Sequence, residues 1–121
     1  MLGQLKERTE KLVIGDPTDQ ATDLGPVINA SSYHEFQACA AELDQAGRFL
    51  TGGKIKTGGV FDKGYFCEPS FAIEVPFSHR LWKQELFLPV GIIGKVNSLG
   101  KAMEVSNDVS EGLTAGFYGS D

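Results

Sequence analysis

The sequence predicts an α/β fold with a mostly parallel sheet flanked by helices, and three observations support this prediction. Residues 90–96 form an almost uncharged apolar run after Pro89, which is typical of a strand buried on both faces. Apolar residues recur at helical spacing in segments before and after this run. The predicted order is helix, helix, strand, strand, strand, helix, strand, which favours a right-handed βαβ unit over residues 90–118.

Length, composition and charge indicate one globular domain. The chain has 121 residues, of which 41% are hydrophobic and 22% charged. Its formal net charge of −5 argues against a nucleic-acid partner, because such binding depends on cationic contacts to phosphate. Its apolar runs fall short of the roughly 20 residues that span a bilayer, and its N-terminus lacks the apolar segment of a signal peptide. We therefore expect no membrane partner.

The N-terminal part predicts a helix followed by a turn-rich connector. Residues 4–13 place their apolar side chains along one stripe and most of their charges away from it. Gly15 ends this helix, and Pro17 prevents a restart because its ring is incompatible with a helix interior. We expect residues 15–30 to be a connector without long elements.

The second helix is the clearest one in the sequence. Ser32 and Glu35 have the spacing of a capping box, so we expect the helix to begin at Ser32. Gly47 suits the left-handed position that follows the last helical turn. Residues 48–51 then predict a short strand.

A glycine-rich segment at 52–65 predicts a loop or hairpin. Gly52, Gly53 and Lys54 resemble part of a phosphate-binding loop. That motif would require a glycine at the position of Arg48 and a Ser or Thr after Lys54, and the chain has neither. The glycines are better explained by a surface hairpin.

The C-terminal half predicts short elements separated by turns. These are a strand at 71–75 ended by Pro76, one helical turn within 78–84, the apolar strand at 90–96, a helix at 99–107 capped by Ser98, and a final strand at 113–118. In the last helix we expect Leu99, Ala102, Met103 and Val105 to face inward.

The turn before the apolar strand carries the best candidate site. Glu85 and Phe87 are two residues apart, so in an extended segment both side chains point the same way. A carboxylate only accepts hydrogen bonds and can bridge two hydroxyls, while an aromatic ring can stack. The alternatives are a solvated carboxylate beside Lys83 and a core aromatic residue.

The chain resembles the aldehyde dehydrogenase superfamily. Four segments carry the resemblance: Gly15-Asp16-Pro17 followed by Gly25-Pro26-Val27, Gly64-Tyr65-Phe66 with Pro69, Glu85-x-Phe87-x-Pro89-Val90, and Asn107-Asp108 followed by Gly112-Leu113-Thr114. They occur in the family's order and at roughly its spacing. The stretch His79-Arg80-Leu81-Trp82-Lys83 is similar to the branch that oxidises 1-pyrroline-5-carboxylate, in the form of glutamate semialdehyde.

This resemblance implies an enzyme that oxidises an aldehyde to a carboxylate with NAD or NADP. It implies that Glu85 accepts hydrogen bonds from the nicotinamide-side ribose and that Phe87 lies beside the same group. It also implies that Leu113 lies near the nicotinamide, although a core role explains a leucine equally well.

The catalytic thiol of such an enzyme is missing from this sequence. The family's nucleophilic cysteine precedes the Gly15-Asp16-Pro17 segment, whereas Cys39 and Cys67 follow it. Neither stands in a cationic or helix-N-terminal context that would lower a thiol pKa. We therefore assign no catalytic residue, and the distance in sequence between His34 and His79 gives no support for a metal site.

The resemblance implies that residues 1–121 are a single domain, the later part of a catalytic domain truncated at both ends. We expect this chain alone to be inactive, with its aldehyde and dinucleotide bound only in a complete enzyme. The alternative is a free-standing, non-catalytic interaction or assembly module. In either case we expect a homo-oligomer or pairing with a missing half. Two cysteines without a CxxC motif favour the reducing cytoplasm.

Overall fold

The structure, a computed structural model, describes residues 1–112 and 114–119. Its helices are α1 (Leu2–Glu10), α2 (Ala30–Ala46) and α3 (Leu99–Ser106), its strands are β1 (Arg48–Thr51), β2 (Ser70–Ile73) and β3 (Val90–Ile93), and two short 3-10 helices span Gly59–Lys63 and Arg80–Trp82. This mixture of helices and strands confirms the predicted α/β class.

The three strands form one mixed sheet in the order β1-β2-β3. Strands β1 and β2 are antiparallel, with Arg48 opposite Ile73. Strands β2 and β3 are parallel, with Ser70 opposite Val90. The segment between β1 and β2 is thus the long connection of a hairpin, as the glycine pattern predicts, and a bridge between Ile55 and Cys67 extends its pairing.

Helix α2 begins earlier than the capping-box prediction. Its N-cap is Asn29, whose side chain accepts a hydrogen bond from the Ser32 amide at 2.9 Å, so the prediction that Ser32 starts the helix was wrong. The asparagine N-cap satisfies the Ser32 amide, whereas Ser32 as N-cap would have served the Glu35 amide instead. Gly47 also differs from its prediction, since its φ of −154° is not left-handed. A side chain there would collide with the sheet, because a Cβ would lie 2.4 Å from the Ile73 carbonyl oxygen.

The core lies between α2 and the sheet. One buried cluster contains Cys39, Leu43, Ala72, Val75 and Leu81, and a second contains Phe36, Ala40 and Cys67. Phe36, Ala40 and Leu43 all come from α2, at the helical spacing that the sequence shows. This helix therefore supplies the face against which the rest of the fold packs.

Strand β3 is shorter and less buried than the sequence predicts. It spans four residues, all of them half-buried, so the prediction of a strand buried on both faces over 90–96 was wrong. Val90 and Ile92 pack against the core, while Ile93 lines an open apolar groove with Val75 and Phe77. The strand lies at the edge of the sheet, and one of its faces is covered.

The last part of the chain also departs from prediction. Helix α3 forms as expected, with the Ser98 hydroxyl accepting a hydrogen bond from the Lys101 amide at 3.2 Å. Leu99 and Met103 do not face inward, since they are 59% and 57% exposed. Residues 114–118 form no strand, so the second strand of the predicted βαβ unit is absent there, and Leu113 lies outside the described residues.

Candidate functional site

The candidate site is the turn that leads into β3. After the 3-10 helix Arg80–Trp82, the Trp82 indole Nε1 donates a hydrogen bond to the Val75 carbonyl oxygen at 3.2 Å. The Trp82 ring packs on Phe77 with 4.9 Å between ring centroids. At the far end of the turn, the Ser70 amide donates to the Pro89 carbonyl oxygen at 2.8 Å. The start of the turn is thus held to Val75, just after β2, and its end is held to Ser70, the first residue of β2.

Side chains alternate between solvent and core along this turn. Leu86 and Leu88 are half-buried and pack against the core. Glu85 and Phe87 are exposed, and the Phe87 ring is 86% accessible. This alternation is that of an extended segment and agrees with the prediction that Glu85 and Phe87 point the same way. The exposed ring also argues against a core role for Phe87 in this structure.

A cleft of about 390 Å³ lies beside the turn. It is lined by Trp82, Lys83, Gln84, Glu85, Val109, Glu111 and Gly112. An ion pair, 2.7 Å between the Lys83 Nζ and Asp108 Oδ2 atoms, links Lys83 of one wall to the residue that precedes Val109 of the other. The cleft therefore brings together two segments that the sequence singles out separately, one around Glu85 and one around Gly112. Leu113, the remaining predicted site residue, is outside the described part of the chain.

A cluster of charged side chains ties the turn to α2. The Arg80 guanidinium donates from Nε to Glu42 Oε1 at 2.9 Å and from Nη2 to Glu42 Oε2. Its Nη1 donates to the side-chain oxygen of Gln84. The hydrogen bonds to Glu42 raise the pKa of Arg80, so this group stays charged. Sequence inspection missed the Glu42–Arg80 pair because the two residues are 38 positions apart with no pattern that joins them.

His79 completes this cluster. Its Nδ1 accepts a hydrogen bond from the Leu81 amide at 3.4 Å, which places a neutral ring's proton on Nε2. That Nε2 lies 3.3 Å from Glu42 Oε1 and can donate to it. Glu42 therefore accepts hydrogen bonds from Arg80 and has the His79 ring close to the same carboxylate.

Both thiols lie in the core. Burial raises the pKa of Cys39 and raises the pKa of Cys67 to about 11. A nucleophilic cysteine needs the opposite shift, because the thiolate is the attacking form. Within residues 1–112 and 114–119, no three His, Cys, Asp or Glu side chains are grouped as metal ligands would be.

Comparison with known proteins gives the class of this chain. It matches the aldehyde dehydrogenase family over residues 1–121, and we conclude that it belongs to that family. It is 34% identical over 114 residues to the 1-pyrroline-5-carboxylate dehydrogenase of Geobacillus thermodenitrificans, covering 94% of this chain and 21% of that protein. It is also 34% identical over 120 residues to the betaine aldehyde dehydrogenase of Brucella anthropi, covering 98% of this chain and 24% of that protein.

A solved structure shows the same fold. The chain superposes on 1-pyrroline-5-carboxylate dehydrogenase from Thermus with bound NAD, with a TM-score of 0.79 and 32% identity. The superposition covers 89% of this chain and 20% of the Thermus protein. The chain thus spans between a fifth and a quarter of the length of these relatives. None of the helices in the described residues is long and apolar enough to cross a membrane.

Proposed function

We propose that this chain is the later part of the catalytic domain of an aldehyde dehydrogenase, and that Glu85, Phe87 and Leu113 contact the nicotinamide half of NAD or NADP. The observation that carries this proposal is the outward-facing pair Glu85 and Phe87 at the start of β3, with Glu85 in the cleft wall. Their spacing and exposure suit one ligand that offers both hydroxyls and an aromatic ring.

The residues present fit a dinucleotide in their chemistry. Among the described residues, the Glu85 carboxylate has no hydrogen-bond or ion-pair partner, so both oxygens are available to a diol. Phe87 offers an open ring face close by in sequence. When bound, the nicotinamide supplies the acceptor for the hydride that leaves the aldehyde. The role of this chain's own residues is to orient that group at the cleft.

The substrate we propose is glutamate semialdehyde, which is in equilibrium with 1-pyrroline-5-carboxylate, and the product is glutamate. The lead-in at residues 79–83 and the similarity to the Geobacillus enzyme support this choice. Betaine aldehyde is the main competitor, because the Brucella relative is equally similar. We place the protein in the cytoplasm because Cys39 and Cys67 are free thiols.

We also propose that the 121-residue chain is inactive when isolated. Burial opposes thiolate formation at Cys39 and Cys67, so neither suits attack on a carbonyl. The test is an NAD reduction assay with 1-pyrroline-5-carboxylate and with betaine aldehyde, on the purified chain and on the native-length gene product. We expect NADH from the native-length product with 1-pyrroline-5-carboxylate and none from the chain. Turnover by the chain would contradict its inactivity, and a preference for betaine aldehyde would contradict the substrate.

The second candidate is a non-catalytic assembly module that self-associates. Its supporting observation is the exposed apolar surface of the last third, which includes Leu99, Met103, Phe117 and Tyr118. Sedimentation velocity over a wide dilution series tests it, because self-association obeys mass action. We expect oligomers at micromolar concentration, and a monomer at every concentration would contradict this candidate.

A further inference from the structure

We propose that Arg80 is a positioning residue that holds the Glu85–Phe87 segment in place through Glu42 on one side and Gln84 on the other. Its importance for cofactor binding rests on the function proposed above. Gln84 immediately precedes Glu85, and both residues line the cleft. A contact to Gln84 therefore acts directly on the backbone that carries Glu85.

The shape of the guanidinium group makes one residue sufficient for both contacts. Two donors of Arg80, Nε and Nη2, reach the two carboxylate oxygens of Glu42, which fixes the plane of the group. The direction of the third nitrogen, Nη1, is then also fixed, and it donates a hydrogen bond to the side-chain oxygen of Gln84. A lysine would offer a point charge and could not fix this direction.

Glu42 is a firm anchor for this arrangement. It lies in the C-terminal half of α2, directly before the fully buried Leu43. Helix α2 supplies the main core face, so its backbone is among the best-packed parts of the chain. The second contact to Glu42, from His79 Nε2 at 3.3 Å, orients the same carboxylate. The pair thus connects the exposed turn with the rigid part of the fold.

Amide hydrogen exchange at Trp82 and Lys83, whose amides donate to the His79 and Arg80 carbonyl oxygens, tests this proposal without any cofactor. In Arg80→Ala we expect exchange there to become about fivefold faster, because the turn loses its ion pair with α2. Glu42→Gln should give a similar increase, and the double variant should add little to either single change. In Arg80→Lys, exchange should resemble Arg80→Ala, because lysine lacks the fork that reaches Gln84.

Trp82 provides an independent readout because it is the only tryptophan of the chain. Loss of the Arg80 contacts should red-shift its emission and increase its quenching by acrylamide. The matched control is Arg48→Ala. Arg48 and Arg80 side chains are both 57% exposed, and each forms an ion pair with one glutamate and donates to it from Nε. The Arg48 pair with Glu74 shares no partner with Arg80, so this control should leave exchange at Trp82 and Lys83 unchanged. It is read by exchange and not by fluorescence, because Glu74 adjoins Val75, whose carbonyl oxygen accepts from the Trp82 indole.

The outcomes separate this proposal from the cofactor function. Unchanged exchange in Arg80→Ala, wild-type behaviour in Arg80→Lys, or an equal effect of Arg48→Ala would each overturn the positioning role. Because no cofactor enters the exchange experiment, these results do not depend on how NADH binds. Equal NADH dissociation constants for the native-length gene product and its Glu85→Gln variant would instead overturn the proposed function.

Discussion

Two regions of this molecule have similar apolar patterns in sequence and different environments in the structure. The α2 body, residues 27–81, contains nearly all of the buried core, with Phe36, Leu43 and Ala72 fully enclosed. The C-terminal region, residues 82–112 and 114–119, contains no buried residue among those described. Periodicity thus predicts which face of an element is apolar. Whether that face is covered depends on the rest of the fold.

The largest expected difference comes from the same substitution in each region. Leu43→Ala removes a fully buried side chain and should lower the free energy of unfolding by about 3 kcal/mol. Leu99→Ala truncates a side chain that is 59% exposed and should change it by less than about 0.5 kcal/mol. Urea unfolding of both variants checks this. Equal losses of unfolding free energy in the two variants would show that Leu99 is covered in solution, and the two regions would then not differ in burial.

A second pair of variants compares the two regions at glycines. A Cβ at Gly47 would lie 2.4 Å from the Ile73 carbonyl oxygen and 3.0 Å from the Val75 amide nitrogen. Gly47→Ala should therefore destabilise the chain by about 2 kcal/mol through overpacking. Gly100→Ala in α3 meets nothing within 4 Å and should stabilise it by about 0.5 kcal/mol. In thermal denaturation, the midpoint of Gly47→Ala should fall and that of Gly100→Ala should rise. A higher midpoint for Gly47→Ala would contradict the tight packing of Gly47 against Ile73 and Val75.

The pH dependence of stability reports the burial of Cys67. Its pKa is raised from 9.0 to about 11, so above pH 9 the unfolded chain loses this proton while the folded chain keeps it. Folded stability should then fall as pH rises from about 9 to about 11, by at most about 1.4 kcal/mol per pH unit from this group. Cys67→Ala should remove that part of the slope. Identical slopes in the two proteins would mean that the Cys67 thiol is hydrated.

The smallest expected effect concerns the ion pair between Lys83 and Asp108 beside the cleft. Lys83 and Asp108 side chains are both about half exposed, so solvent screening limits the pair to roughly 0.5 kcal/mol. Lys83→Ala should speed amide exchange at Asn107 and Asp108 about twofold at low salt. At about 1 M salt the difference from wild type should vanish, since charges are then screened within about 3 Å. A salt-independent difference would point to packing instead of charge.

The sequence predicts most elements of this fold and less of its packing. The apolar spacing of Phe36, Ala40 and Leu43 correctly identifies α2 and its core face, and Ser98 correctly marks the start of α3. The strand expected at 113–118 and the burial of Leu99 and Met103 could not be judged from local pattern, because each depends on a neighbouring surface.

The candidate site shows the same division. The two-residue spacing of Glu85 and Phe87 predicts that both point the same way, and in the structure both are exposed. The Glu42–Arg80 pair and the Lys83–Asp108 pair arise from contacts between residues distant in sequence. No local motif encodes such contacts, so they become visible only when the chain is folded.

The central claim is that Glu85 holds the cofactor, and the dissociation constant of NADH tests it most directly. The measurement uses the native-length gene product, its Glu85→Gln variant and the matched Glu104→Gln control, whose carboxylate pairs with Lys101 outside the cleft wall around Glu85. Loss of a charge-assisted hydrogen bond should raise the constant about tenfold or more for Glu85→Gln. The control should stay within about twofold of wild type. Equal constants for all three proteins would contradict the claim.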